Sequence, residues 1–125
     1  MAWSFQGNHP VYLQIASRIR SDIIRGKYSC DQQIPPVRQL AFEAAVNPNT
    51  MQRALMQLEQ EGLLVSKGTV GRFVTEDAAV LDDARRKAAV ELIDSLLIGC
   101  KQMGFQKKEI IQMLNETEDT EECQY

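Results

Sequence analysis

The sequence predicts a mainly α fold with one small β hairpin, and three observations predict it. Apolar residues recur at three- and four-residue spacing in short segments before Gly62. Two brief runs of apolar and β-branched residues around a glycine-bearing tip follow. A longer stretch of alanine, leucine and charge then returns to helical spacing.

The first helix runs from Val11 to Arg25, with Tyr12, Ile15, Ala16, Ile19 and Ile23 on one side, Pro10 before it and Gly26 after it. A polar turn, Ser29 to Gln33, leads to Ile34-Pro35-Pro36 and a second helix, because proline is tolerated in a first helical turn where its missing N–H loses no partner. Val37, Leu40, Ala41 and Ala44 form its buried side. It is about nine residues long, since the residue before Pro48 is pushed out of the helical region. Asn47-Pro48 starts the third helix: asparagine caps the free N–H groups and proline is pre-set for the helical dihedral. This helix reaches Glu61 and stops at Gly62.

With Asn49 at 0° and about 100° per residue, Met51, Ala54, Leu55 and Leu58 cluster between roughly 140° and 240°. Asn49, Thr50, Arg53 and Gln57 fall between about 0° and 100°, with Gln52 on the flank near 300° and Met56 near 340°. The outward side is therefore amide, hydroxyl and guanidinium, without a carboxylate in its first two turns. For Met56, packing on another helix is preferred to contact with a thymine methyl. Leu63 to Ser66 and Arg72 to Thr75 then form the hairpin around Lys67 to Gly71. Trp3-Ser4-Phe5 supplies a short strand or a cover for the core.

Beyond Thr75, Leu81, Ala84, Ala88, Leu92, Ile93, Leu96, Leu97, Cys100 and Met103 recur at helical spacing, predicting a helix of about 25 residues that ends at Gly104. Phe105 and Ile110 occupy the two positions of a hydrophobic staple around Gln106, and Glu109 suits the positive end of a final helix from Lys107 to about Asn115. The acidic run Glu116 to Tyr125 lacks periodicity and is expected to be disordered. The expected division is residues 1–75, 76–115 and 116–125.

Composition excludes several functions. The chain has 125 residues and a formal net charge of -3. Residues 1–75 hold eight basic and five acidic residues, a balance of +3, whereas residues 76–125 hold six and twelve, a balance of -6. No apolar run approaches the roughly 18 residues of a membrane span. The start, MAWSFQGNHP, lacks the basic and apolar parts of a signal peptide, which points to the cytoplasm and away from a membrane. Cys30, Cys100 and Cys123 are distant and odd in number, so reduced thiols are expected. His9 is the sole histidine; no metal site, cofactor loop or catalytic nucleophile with a base is visible, which argues against an enzyme.

Three short helices and a hairpin, with the second and third helices joined by a tight turn, describe a winged helix-turn-helix, in which the third helix enters the DNA major groove. Asn49, Thr50, Gln52 and Arg53 lie near its N-terminal end, where amides can pair with adenine and arginine with guanine or phosphate. Arg38 sits near the start of the second helix, where a cation and backbone N–H groups favour phosphate. Lys67, Gly68, Thr69, Gly71 and Arg72 furnish the wing, its glycines permitting close backbone approach. Double-stranded operator DNA is the expected partner. A winged-helix adaptor for other proteins, with no DNA role, is the alternative.

The runs Pro10 to Ile15, Ile34 to Ala41, Val46 to Ala54, Leu58 to Leu63 and Gly68 to Val74 resemble the DNA-binding domain of GntR-family bacterial transcription regulators. The resemblance implies operator contacts from Arg38, from the helix start Asn47 to Arg53, and from the wing tip Lys67 to Gly71. Some members carry arginines where this chain has Pro48 and Gln52, so their operators do not transfer. The short C-terminal part is similar to the YtrA subfamily, whose two-helix extension makes a homodimer and whose members often regulate transporter operons. The expected interface is Leu81, Ala88, Leu92, Ile93, Leu96, Leu97, Cys100 and Met103. A homodimer implies a palindromic operator, and repression by occupying promoter DNA is the leading expectation, while the residues leave open the sign of regulation and whether an effector binds.

Overall fold

A computed structural model describes residues 2–118. In order, the elements are α1 (Val11–Ile24), α2 (Val37–Ala44), α3 (Pro48–Gln60), β1 (Leu64–Ser66), β2 (Arg72–Val74), α4 (Ala78–Gln102) and α5 (Lys107–Glu116). The predicted mainly α architecture with a two-stranded wing is present. By compactness the chain divides into two units between Asp82 and Asp83, inside α4.

In the first unit, α3 is the central element. Met51, Ala54, Leu55 and Leu58 have no exposed surface. They pack within reach of α1, α2 and β1. Ile15, Ala16 and Ile19 of α1, Leu40, Ala41 and Ala44 of α2, and Leu63, Leu64 and Val74 at the base of the wing complete the core. Asn47 caps α3 as its sequence implies, its Oδ1 accepting from the Asn49 N–H at 2.8 Å. At the other end Glu61, unfavourable beside the negative pole of a helix, is held by a two-bonded contact from Arg20, with both N···O distances 2.7 Å.

The prolines before α2 behave differently from expectation. Pro36 has φ -65° and ψ 158°, so it is the flanking residue and the helix begins at Val37. Each proline disfavours the helical region for the residue before it, which keeps Ile34 and Pro35 extended. Extension has a use. Ile34 N–H donates to Arg72 O at 3.0 Å, Val74 N–H to Gln32 O at 2.9 Å, and Gln33 bridges Phe73. This short stretch backs β2 on the edge that does not face β1.

α2 ends at Ala45 in the left-handed region, φ 58° and ψ 46°, with Val46 N–H returning to Ala41 O at 3.0 Å. The hairpin pairs Leu64 with Val74, Val65 with Phe73 and Ser66 with Arg72. Trp3 is a cover and not a strand: its N–H reaches Ala44 O at 3.4 Å, and the Arg18 guanidinium lies 4.1 Å from its ring centroid.

In the second unit, α4 buries none of its side chains among the described residues, and Leu92 and Met103 are 72% and 76% exposed. α5 begins at the expected cap, where Gln106 N–H donates to Glu109 Oε1 at 2.9 Å, and it buries Ile110. Most of the acidic run expected to be disordered lies outside the described residues, and so does Cys123. Among the described residues no helix is long and apolar enough to cross a membrane, and no cluster of three metal-ligating side chains occurs.

Because Leu55 packs at the centre of the first unit, Leu55→Ala removes buried methyl groups and leaves a void. A loss of about 2–5 kcal/mol is expected. Urea unfolding followed by circular dichroism checks it, as a lower midpoint with an unchanged slope.

Candidate nucleic-acid interface

The buried stripe of α3 dictates what its other side presents. Asn49, Gln52 and Arg53 are exposed, Thr50 is half-buried, and Met56 stays exposed on the same side. No acidic residue lies in the first turn of α3, so the positive pole of the helix is uncompensated by the chain itself. Asn47 is exposed too, with its carboxamide oxygen committed to the cap.

Arg38 occupies the second position of α2, whose N-terminus has no side-chain cap. It is exposed, and among the described residues it makes no ion pair. Glu43, on the same helix, accepts from Gln39 at 3.3 Å. Arg53 also lacks a carboxylate partner among the described residues. Its guanidinium lies 3.8 Å from the centroid of the Tyr12 ring, a cation–π contact that restricts the side chain yet leaves its N–H edge available. Tyr12, which looked like a core residue of the first helix, thus also supports the outward side of α3.

The two wing cations are engaged internally. Lys67 Nζ donates to Asp31 Oδ1 at 2.9 Å, lies 3.7 Å from Glu76 Oε1, and sits 4.4 Å from the Phe73 ring centroid. Its hydrogen bond to Asp31 raises its pKa above the usual lysine value, so it carries full charge at neutral pH. Arg72 is more deeply held: Nε donates to Glu59 Oε1 at 2.6 Å and Nη1 to Gln52 Oε1 at 3.2 Å, with 15% of the side chain exposed. The four cations therefore fall into two pairs among the described residues, Arg38 and Arg53 without carboxylates, Lys67 and Arg72 with them.

Gly68 and Thr69 are exposed at the wing tip. The tip is closed by Lys67 N–H to Gly71 O at 2.8 Å and Val70 N–H to Lys67 O at 3.1 Å. Gln33 Nε2 donates to Val70 O at 2.7 Å from behind. Gly71 has φ +134°, a backbone conformation that favours glycine, and a Cβ there would lie 2.7 Å from that same Nε2 and displace the Gln33 carboxamide. Gln33 was not singled out in the sequence; the extended bias before Pro35 was the available signal, without which its place behind the wing could not be read.

Residues 11–74 match the family described as bacterial regulatory proteins, gntR family. An uncharacterized HTH-type transcriptional regulator of Bacillus subtilis, YhcF, is 32% identical over 86% of this chain and 89% of its own length. The HTH-type transcriptional repressor YtrA of the same species is 26% identical over 86% and 83%. A GntR family transcriptional regulator from Listeria monocytogenes has a similar structure, with TM-score 0.81 and 29% identity over 91% of this chain and all of that one. The AraR DNA-binding domain, solved in complex with operator ORX1, is similar over 58% of this chain and 93% of that one, with TM-score 0.55 and 35% identity. The match through α1, α2, α3 and the wing, carried on into the helices beyond, identifies the chain as a member of the GntR family of bacterial regulatory proteins.

Proposed function

We propose that this chain controls transcription by binding operator DNA as a homodimer, with residues 1–75 reading DNA and residues 76–115 joining the two copies. The observation that carries the reading is the pairing of an outward side on α3 without a carboxylate in its first two turns with Arg38 and Arg53, which have no carboxylate partner among the described residues. α3 enters the major groove, where Asn49, Thr50, Gln52 and Arg53 meet base edges or adjoining phosphates. Arg38 and the uncapped start of α2 grip the backbone. Gly68 and Thr69 bring the wing tip close to the neighbouring strand, with Lys67 and Gly71 shaping that approach, while Asn47 meets the DNA from the start of α3. AraR, a relative in fold, is solved with its operator, and YtrA is described as a repressor; both support this role.

Dimerisation answers the exposure of α4. Leu92, Ile93 and Leu96 lie open on a helix that buries nothing, Met103 is exposed in the turn just after it, and Ile111, Met113 and Leu114 are exposed on α5. A second copy covers such a surface with its own identical surface. Leu81, Ala88, Leu97 and Cys100 complete the proposed seam. Two recognition helices then meet half-sites about 34–36 Å apart on a palindromic operator. Repression follows from occupying promoter DNA, in the cytoplasm and without a catalytic step, and a transporter operon is the proposed target.

Mobility shift with the promoter of the protein's own operon tests the reading. Affinity is expected to fall steeply and linearly with log salt concentration as phosphate contacts release counterions. No binding to any promoter fragment at low salt overturns it. Arg38→Ala and Arg53→Ala are each expected to weaken binding by about 1–3 kcal/mol while leaving the dimer intact, a loss readable in the same assay. Leu96→Asp is expected to give monomers in light scattering, with loss of tight binding to a two-half-site operator; a wild-type monomer removes the proposed seam.

A further inference from the structure

Arg72 looks in the sequence like one more cation for the DNA backbone. Its surroundings say otherwise. It begins β2, where its carbonyl accepts from Ile34 and its strand partner is Ser66, so its backbone is held from both edges. From that fixed point the guanidinium reaches inward to α3. Nε meets Glu59 Oε1 at 2.6 Å and Nη1 meets Gln52 Oε1 at 3.2 Å, one helical side bearing both acceptors seven residues apart. A cation whose charge is met by a partly buried carboxylate is a poor ligand for phosphate, since it must give up that partner first.

We propose that Arg72 is a positioning residue that acts through Gln52, and that with Glu59 it makes the wing set which atoms of Gln52 face a base. This rests on the DNA-binding reading above. A guanidinium can only donate, so the atom of the Gln52 carboxamide facing it must be the oxygen. The amide nitrogen is thereby turned away from the wing. Paired recognition of adenine uses both atoms of a carboxamide, the oxygen accepting from N6 and the nitrogen donating to N7. Here the oxygen is turned onto Arg72, and the exposed group is a donor. Gln52 therefore selects a single acceptor, a purine N7, guanine O6 or thymine O4, in place of the two-bonded adenine contact.

Glu59 has a separate part in this arrangement. It neutralises Arg72 and fixes the plane of the guanidinium, so that Nη1 points at Gln52 and not at solvent. The recognition helix and the wing are thus coupled by one side chain. A wing displaced along the DNA alters the presentation of Gln52 on α3 as well as the wing's own contacts.

The test uses the full chain, a wild-type operator and operators changed one base pair at a time, with binding measured across a salt series. In Arg72→Ala, preference at the base pair read by Gln52 is expected to relax about fivefold, with the salt slope unchanged from wild type. In a Gln52→Ala background the same change is expected to have no further effect on that preference. A salt slope lower by about one, or equal effects of Arg72→Ala with and without Gln52, shows a direct phosphate contact and overturns the proposal. Glu59→Gln provides a second arm that keeps the cation in place, and thermal unfolding verifies that each variant is folded. Positioning predicts relaxed preference in Glu59→Gln; a freed phosphate ligand predicts tighter binding with preference intact, which overturns the proposal. If the wild type shows no salt-dependent DNA binding, the DNA-binding reading itself fails, an outcome distinct from either arm.

Discussion

Burial of Met51, Ala54, Leu55 and Leu58 on α3 is the constraint on which the rest of the first unit depends. One stripe of a thirteen-residue helix is consumed by contacts with α1, α2 and the first strand of the wing. Helical geometry then leaves no freedom over which residues face outward. Rotating α3 to present other side chains means exposing four packed apolar groups, at a cost of about 1.5–3 kcal/mol for each of the larger ones. The core and the interface are thus two sides of one requirement, and the amides and guanidinium of α3 face outward because of what lies behind them.

Electrostatics of the unit follows from where carboxylates find partners. Asp22 lies near Lys27, Asp31 holds Lys67, Glu59 holds Arg72, Glu61 holds Arg20, and Glu43 accepts from Gln39. These contacts are mostly exposed and individually weak. Their collective effect is one of placement: acids are drawn to the ends of helices and the edges of the wing, while Arg38 and Arg53 keep their charge beside the two helix N-termini. The formal charge of -3 describes the whole chain and obscures this arrangement.

Most of this architecture was legible because its signals are local. Asn47-Pro48, Gly62 and Gln106 with Glu109 each specify a helix boundary within a few residues, and the stripe of α3 follows from spacing alone. Contacts that depend on the meeting of distant segments were not legible. The extended stretch behind β2 pairs residues about forty positions apart, and no periodicity announces a strand that short. Arg72 could be placed on the wing but not pointed, because its direction depends on Glu59 and Gln52, side chains thirteen and twenty residues away. Tyr12 fitted the apolar pattern of α1 and hid its contact with Arg53, since an aromatic ring serves packing and cation binding alike.

Ala45, the left-handed residue between α2 and α3, gives this unit a latent route of adaptation. An alanine held at φ 58° costs about 1–2 kcal/mol that glycine avoids, offset in part by the greater flexibility glycine confers on the unfolded chain. The residue is exposed and takes no part in the proposed interface. A lineage carrying this gene therefore has, within a single codon, a means of absorbing a harmful core substitution elsewhere without altering a side chain on the outward side of α3.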